Sequence, residues 1–354
     1  MRENKVVYGL IGYGGMGRWH TEILSNVPEA VIGGIYDIKK EKREEAKEKG
    51  FFVYETEEAM LADPDIDVVL IATPNDCHKP IAIRAMHAGK NVISEKPVTL
   101  SSADLLEMEN AAKETGKLLT VHQNRRWDDD FLIIKKLVEE QKLGHVFRIE
   151  SRVHGSRGIP GDWRKEKVHG GGMVLDWGVH LLDQILYMYG DRKIETVYAS
   201  LTNVTNQEVD DGFTAILTFE GGTEVLVEVG TNNYISLPRW YVLGEDGTAV
   251  IRDWQLNGEI IRKTGMTEET VVPVKTAAGL TKTMAPRRED TIVKEDLPKV
   301  SGDIADFHRN VVAVIRDGAA PEIKLFQVMR VMKLMEAIFQ SAETNQVIEF
   351  QDQV

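Results

Sequence analysis

The sequence predicts an α/β protein in which a doubly wound parallel sheet precedes an α/β domain with a large, open, mostly antiparallel sheet. The first observation is an alternation of short β-branched runs with helical segments over residues 5–124. The second is a set of longer segments after Asn124 in which polar and apolar residues alternate. The third is a length of 354 residues, which suits two domains. We therefore expect domains at 1–123 and 124–354.

The N-terminal elements follow a strand–helix rhythm. The run DVVLIATP is nearly all apolar, as expected for a strand covered on both faces of a parallel sheet. Ser101 is a helix-capping residue, and glycines follow several helical segments. Strands are predicted at 5–12, 31–37, 67–74, 91–97 and 118–124. Helices are predicted at 16–27, 39–50, 79–90 and 101–117.

The C-terminal elements are mostly strands joined by tight turns. EGGT at 220–223 and EDGT at 245–248 are typical of hairpin turns. Residues 276–302 are predicted to form a long loop near the substrate. Strands are predicted within 145–155, 195–205, 211–231, 239–253 and 269–275. Helices are predicted at 128–144, 303–318 and 325–344, with the methionines of the last helix in the core.

The composition argues against several classes of partner. The formal net charge is −13, and no run of Lys or Arg outweighs it, so we expect no nucleic-acid partner. No stretch reaches the roughly 18 consecutive apolar residues of a membrane span. The single cysteine, Cys77, excludes an intrachain disulfide and suits a reducing cytoplasm. We therefore expect a cytoplasmic protein that acts on a small molecule.

The glycine pattern at residues 12–17 predicts a dinucleotide-binding loop between a strand and a helix. Gly12 permits a tight turn, Gly14 lets the backbone approach a pyrophosphate, and Gly17 lets the helix lie close to the strand. Asp37, at the end of the second strand, can bind the ribose hydroxyls and repel a 2′-phosphate, which favours NAD. Lys39 and Lys40 leave NADP open. The predicted cofactor contacts of this loop are Gly12, Gly14, Gly15, Met16, Gly17 and Asp37.

Polar residues follow two further strands at the edge where ligands bind in open α/β sheets. Thr73, Asn75 and His78 come after one strand and are predicted to line the cofactor channel, although His78 alone could equally be a surface histidine. Glu95 and Lys96 come at the end of the next strand. Lys96 could stabilise a developing alkoxide, whereas the alternative is a local ion pair with Glu95. Pro97 makes the 96–97 bond a candidate for the cis form.

The segment GGGMVLDWGVHLLDQ, at 170–184, brings polar residues into an apolar helix. Asp176 and His180 are spaced i,i+4 and so share one helix face. A carboxylate beside an imidazole orients it and raises its basicity. The alternative is a buried pair without a catalytic role, and Asp183 on the same stripe is predicted to be a structural neighbour. The glycines are expected to leave room for substrate or nicotinamide.

Six motifs occur in order between the first strand and about residue 190: GYGGMG, ATPNDCH, SEKP, QNRRW, DWR and GGGMVLDWGVHLLD. With them the sequence resembles the glucose–fructose oxidoreductase / inositol dehydrogenase / MocA (Gfo/Idh/MocA) family. The resemblance implies an N-terminal Rossmann domain and a C-terminal sheet that forms a homodimer or homotetramer. It also implies that the last helices return to the Rossmann domain. The implied activity is NAD(P)-dependent oxidation of a secondary alcohol of a sugar or cyclitol, or reduction of the corresponding ketone.

The resemblance also implies roles for individual residues. Lys96 matches the family's catalytic lysine, His180 its acid/base, and Asp176 a substrate or orienting contact. Trp163 and Arg164 match a pair near the nicotinamide or substrate. Arg125 and Arg126 match a pair near the cofactor crevice. No metal is expected in this reaction, because Asp176 and His180 have no convincing third ligand.

Three other functions remain open on the same fold. One is dihydrodiol- or biliverdin-type reduction, which differs in substrate. A second is a glycoside hydrolase that retains NAD and uses transient oxidation, so that added cofactor is not consumed. The third is a regulator that senses NAD without catalysis, which the presence of Lys96, Asp176 and His180 argues against.

Overall fold

The computed structural model describes residues 4–266 and 271–351. Residues 1–3 of the first predicted domain and residues 267–270 and 352–354 of the second lie outside the described residues. The strand predicted at 269–275 therefore has its first two residues outside them. Two sheets dominate the fold, with five and nine strands. The predicted fold class is confirmed.

The first sheet is parallel in the order β2-β1-β3-β4-β5. Every residue of β1 and β3 is buried, since helices cover both faces of the sheet. Its strands are β1 (Val6–Ile11), β2 (Ala30–Tyr36), β3 (Val68–Ile71), β4 (Asn91–Ser94) and β5 (Leu119–Val121). Its helices are α1 (Gly15–Leu24), α2 (Lys40–Glu48), α3 (Glu57–Ala62), α4 (His78–His87) and α5 (Ser102–Thr115).

The second sheet has the order β15-β12-β11-β10-β6-β9-β8-β7-β16, and only its β6–β9 pair is parallel. Buried and partly exposed residues alternate along β8 and β9, so one face of the sheet is covered. The helices of this part are α6 (Asp129–Glu139), α7 (Val179–Tyr189), α8 (Ala305–Asp317) and α9 (Leu325–Thr344). The strands of this part that join the large sheet are β6 (Val146–His154), β7 (Ile194–Thr202), β8 (Gly212–Phe219), β9 (Glu224–Gly230), β10 (Trp240–Gly244), β11 (Gly247–Ile251), β12 (Gly258–Lys263), β15 (Ile292–Glu295) and β16 (Ile348–Glu349). The separate β13 (Val274–Thr276) and β14 (Gly279–Thr281) form a small hairpin.

The segment 276–302 differs from the predicted loop. It contains β14 and β15, and β15 pairs with β12 at the edge of the large sheet. None of its residues lines the large cleft at the carboxyl ends of the parallel strands. Most of the segment is a loop, as predicted, but two short strands interrupt it, because short polar strands carry too little apolar alternation to be recognised. Its predicted place near the substrate is wrong, since none of its residues lines the cleft.

The last two helices contact both sheets. Helix α8 contacts α1 and β1, whereas α9 contacts α5, β5 and β7. At one such contact, Glu336 accepts hydrogen bonds from the backbone N–H and hydroxyl of Ser102, at 2.7 and 2.8 Å. The buried methionines 329, 332 and 335 of α9 lie in the core. Among the described residues, none of the helices is long and apolar enough to span a bilayer.

Candidate active site

A cleft of about 940 Å³ opens at the carboxyl ends of the parallel strands. Gly12, Asp37, Thr73 and Lys96 line it from the loops after β1, β2, β3 and β4. Its other wall comes from the segment between β6 and α7 and includes Trp163, Arg164 and Asp176. Parallel strands that end at one edge thus bring together residues far apart in the sequence.

The glycines at the start of α1 fit a dinucleotide. A Cβ at Gly12, where φ is +96°, would lie 2.4 Å from the Ala72 carbonyl oxygen, and one at Gly17 would lie 2.1 Å from that of Gly12. Both glycines therefore allow close backbone contact. In contrast, a Cβ at Gly14 or Gly15 would meet no heavy atom within 4 Å, so the helix N-terminus is open to a ligand. Met16 also lines the cleft. Free N–H groups at such a terminus suit a pyrophosphate.

Asp37 is held in place by its own turn. Its carboxylate accepts hydrogen bonds from the backbone N–H groups of Tyr13 and Lys39, at 2.7 and 2.8 Å. Arg43 donates to the Asp37 carbonyl oxygen at 2.8 Å and so is committed to the backbone. The cleft also contains Lys42, which pairs with Glu45 at 2.9 Å. Asp37 is therefore oriented towards the part of the cleft next to the glycine loop.

Lys96 reaches across the cleft to Asp176. Its Nζ donates to the Asp176 carbonyl oxygen at 2.9 Å and to Oδ1 at 3.1 Å. Arg164 Nε lies 3.3 Å from the other oxygen, Oδ2. Burial favours the neutral carboxyl, but Lys96 and Arg164 outweigh it and hold the pKa of Asp176 below its ordinary value. The peptide bond between Lys96 and Pro97 is cis, which is the form that the sequence had suggested.

His180 lies on the same segment but does not pair with Asp176. Its Nδ1 is buried and has no hydrogen-bond partner among the described residues. Burial, together with the charges of Lys96 and Arg125, lowers the pKa of His180 well below its ordinary value. The ring is therefore neutral at pH 7 and can accept a proton.

The predicted Asp176–His180 pair is thus wrong in its geometry. Residues Val174–Gly178 form a π-helical turn before α7, which changes the angle between side chains four residues apart. Both oxygens of Asp176 are engaged by Lys96 and Arg164. Asp176 therefore orients the two cations rather than the imidazole.

The paired arginines have different environments. Arg125 forms an ion pair with Asp128 at 2.8 Å, and its guanidinium lies 4.2 Å from the centre of the Trp177 ring. Arg126 is buried and donates to both oxygens of Asp183, at 2.8 and 2.7 Å. Neither arginine lines the cleft. The predicted place of the pair at the cofactor crevice is therefore wrong, and Asp183 neutralises Arg126 inside the protein.

Several other predicted residues connect parts of the fold. Asn75 is buried and donates to the Gly170 carbonyl oxygen at 3.0 Å, although it also lines the cleft. The ring of His78 is completely buried between the carbonyl oxygens of Thr73 and Pro97, each at 3.0 Å. His78 is therefore neither a surface histidine nor a cleft-lining residue. It instead holds together the loops that follow β3 and β4.

The wall formed by Trp163 and Arg164 is braced locally. The Arg164 guanidinium lies 4.6 Å from the Trp163 ring centre and pairs with Asp162 at 2.8 Å. Because Arg164 also contacts Asp176, this short segment is tied to the start of α7.

The glycines before α7 have a different role from the predicted one. A Cβ at Gly171 would lie 2.3 Å from the Arg164 carbonyl oxygen, and one at Gly172 would lie 2.3 Å from Oδ1 of Asp210. The glycines therefore make room for protein atoms and not for a ligand.

Asp210 is a residue that the sequence analysis missed. It accepts the backbone N–H groups of Met173 and Val174, both at 2.8 Å, and so caps the segment that carries Asp176 and His180. Burial raises its pKa to about 6. Only the Asp-Asp-Gly sequence at the start of β8 could have drawn attention to it.

Two family models match the chain. Residues 6–123 match the oxidoreductase family with an NAD-binding Rossmann fold, and residues 131–250 match the GFO/IDH/MocA C-terminal domain. The chain belongs to the Gfo/Idh/MocA family. The resemblance carried by the sequence motifs is therefore confirmed, and the protein is an NAD(P)-binding oxidoreductase of this family.

Individual relatives agree with the family. A solved structure of an NAD-binding protein from Listeria innocua has a TM-score of 0.94 and 49% identity, and the match covers 98% of this chain and 100% of that one. The scyllo-inositol 2-dehydrogenase (NADP(+)) IolW of Bacillus subtilis (strain 168) is 28% identical over 96% of this chain and 94% of its own length. The scyllo-inositol 2-dehydrogenase (NAD(+)) of the same organism is 29% identical over 70% and 74%. These two dehydrogenases are named for different cofactors.

Proposed function

We propose that the protein interconverts a secondary alcohol of a cyclitol or sugar with the corresponding ketone. The observation that carries the proposal is Lys96 in a dinucleotide-sized cleft, with His180 close enough for the charge of Lys96 to lower its pKa. Two relatives named as scyllo-inositol dehydrogenases support the substrate class. A bound nicotinamide dinucleotide supplies the hydride acceptor or donor.

Lys96 is suited to bind the reacting oxygen. An ammonium group has three N–H donors, and two of them are directed to Asp176. The third is available to a ligand in the cleft, where the positive charge stabilises an alkoxide. We assign Asp176 the role of positioning Lys96 and Arg164.

His180 is suited to accept the hydroxyl proton. A neutral imidazole is the proton-accepting form. Because burial, Lys96 and Arg125 all lower the pKa of His180, the accepting form persists to acidic pH. Trp163, which lines the cleft, is proposed as a wall for the substrate.

For the cofactor we propose a preference for NAD. Asp37 is fixed by two backbone N–H groups, so its carboxylate cannot easily turn away from a 2′-phosphate. Lys39 and Lys42 also line the cleft and reduce the discrimination. We therefore expect NAD to be preferred but NADP to be accepted.

The experiment is a dehydrogenase assay on myo-inositol, scyllo-inositol, glucose and aryl glucosides with NAD and NADP. We expect Lys96→Met and His180→Asn each to lower kcat by about 10²–10⁴-fold on the best substrate. Lys113→Met and His87→Asn, at exposed positions, are the matched controls and should behave like the parent. Aryl glucoside cleavage without net cofactor reduction would instead indicate the hydrolase. Tight NAD binding without turnover would indicate the regulator.

We also propose that the open face of the large sheet joins subunits into a dimer or tetramer in the cytoplasm. Arg148, Glu150, Arg152, Glu224 and Glu228 form a ladder of ion pairs on β6 and β9. Such a self-complementary charged ladder suits contact between two copies. Light scattering tests the assembly, and cell fractionation tests the location. A monomer at micromolar concentration would contradict the first proposal.

A further inference from the structure

Three buried histidines lie close together, and none of them lines the cleft. His20 is on α1, His122 follows β5 and His308 is on α8, and each is 0% exposed. One nitrogen atom from each ring lies within 4.8 Å of one from each of the others. The histidine cluster thus joins the parallel sheet to a helix that returns from the C-terminal part.

Glu95 forms hydrogen bonds with two of these rings. Its Oε1 is 2.8 Å from Nε2 of His20 and 2.9 Å from Nδ1 of His122. An ionised carboxylate only accepts hydrogen bonds, so both of those nitrogens carry hydrogen. In neutral rings the other nitrogens, His20 Nδ1 and His122 Nε2, then have free lone pairs.

The third ring completes the arrangement. His308 Nδ1 is 3.4 Å from the hydroxyl of Tyr8, and its Nε2 is 3.3 Å from His20 Nδ1. His122 Nε2 is buried and has no hydrogen-bond partner among the described residues. A buried nitrogen without a partner is costly unless something else satisfies it.

We propose that His20, His122 and His308 bind one divalent transition-metal ion, with zinc as the best candidate. Imidazole nitrogens suit zinc. Ligating histidines usually give their other N–H to a carboxylate or similar acceptor, as His20 and His122 do to Glu95. Zinc–nitrogen bonds of 2.0–2.1 Å in a tetrahedron place the nitrogens about 3.3 Å apart. The His20–His308 pair already has this spacing.

The ion would complete the site in two further ways. It would satisfy His122 Nε2, which is buried and has no hydrogen-bond partner among the described residues. It would also balance the buried charge of Glu95, whose side chain otherwise bonds only to the two histidines and the Lys96 backbone N–H among the described groups. Three protein ligands leave the fourth tetrahedral position for water.

The site would be structural, because its ligands are completely buried and do not line the cleft. Bound zinc would connect α1, the end of β5 and α8, and so fasten the returning helix to the parallel sheet. The alternative is a metal-free chain in which Tyr8 donates to His308 and His308 donates to His20. That chain leaves His122 Nε2 without a partner.

The test is metal analysis of the untagged protein, purified without chelators from zinc-supplemented cells. We expect about one zinc per chain, retained in His87→Gln and His145→Gln, which change exposed histidines. We expect less than one-tenth of that amount in His122→Gln. Refolding the parent with Co²⁺ should give the visible absorption of a tetrahedral ion, which His122→Gln lacks.

The parent protein alone can overturn the proposal. Removing the ion with a strong chelator should lower the melting temperature of the parent, and added zinc should restore it. If the parent contains less than one-tenth of an equivalent after expression with zinc and after refolding with zinc or Co²⁺, and its melting temperature does not respond to zinc, the cluster is metal-free. Zinc retained at the parent level by a folded His122→Gln variant would also refute the site. Neither result depends on dehydrogenase activity.

Discussion

Replacing Asp183 with alanine should destabilise the protein strongly without removing a catalytic group. Arg126 and Asp183 have side chains only 2% and 3% exposed, and two hydrogen bonds of 2.7 and 2.8 Å join them. Removing the carboxylate leaves the guanidinium buried with a hydrogen bond to Gln327 and a contact with the Tyr187 ring. The expected loss in the free energy of unfolding is about 3–5 kcal/mol, as for other broken buried ion pairs. Urea denaturation followed by circular dichroism measures it.

Two controls decide whether the buried charge is the cause. The double variant Arg126→Met/Asp183→Leu removes both charges and should regain most of the stability. Glu259→Ala breaks an exposed pair with Arg252 and should cost no more than about 1 kcal/mol. A loss below about 1 kcal/mol for Asp183→Ala, or a double variant as unstable as the single one, would refute the reasoning.

Three further predictions concern the cofactor loop and Asp210, which caps the segment before α7. Asp37→Ser should raise the ratio of kcat/KM for NADP to that for NAD by at least about tenfold, or ~1.4 kcal/mol, and an unchanged ratio would remove Asp37 from cofactor selection. Gly14→Ala should weaken NAD binding in calorimetry but leave the melting temperature nearly unchanged. In contrast, Gly17→Ala should lower the free energy of unfolding by about 1–3 kcal/mol or more, because its Cβ would meet a carbonyl oxygen. Burial raises the pKa of Asp210 to about 6 from 3.8, so the folded state binds the extra proton and its stability falls as pH rises from 4 to 6, by up to about 3 kcal/mol. Denaturation at several pH values should show a smaller fall in Asp210→Asn, and equal slopes would contradict this.

The parallel sheet and its glycine loop were predictable because their signals are local. A nearly continuous apolar strand such as β3 and the glycines before α1 each reflect constraints within a few residues. Since parallel strands end at one edge, the order of the strands along the chain was enough to place Asp37, Thr73 and Lys96 in one cleft.

The partners of individual side chains were not predictable. The helical spacing indicated that Asp176 would contact His180, but a π-helical turn and two cations from other segments changed that. Asp210 accepts the N–H groups of Met173 and Val174, at the start of the segment before α7, from 36 or more residues away, and sequence periodicity says nothing about such a contact. The meeting of His20, His122 and His308 likewise depends on tertiary packing.

The most direct test of the central claim is the fate of the hydrogen on the reacting carbon. The protein should be incubated with NAD and the best cyclitol or sugar substrate, labelled with deuterium at the carbinol carbon. We predict that one deuterium per turnover appears at C4 of the nicotinamide, that one ketone forms, and that Lys96→Met and His180→Asn slow both equally. Product formation with the cofactor left oxidised and unlabelled would contradict a net oxidoreductase.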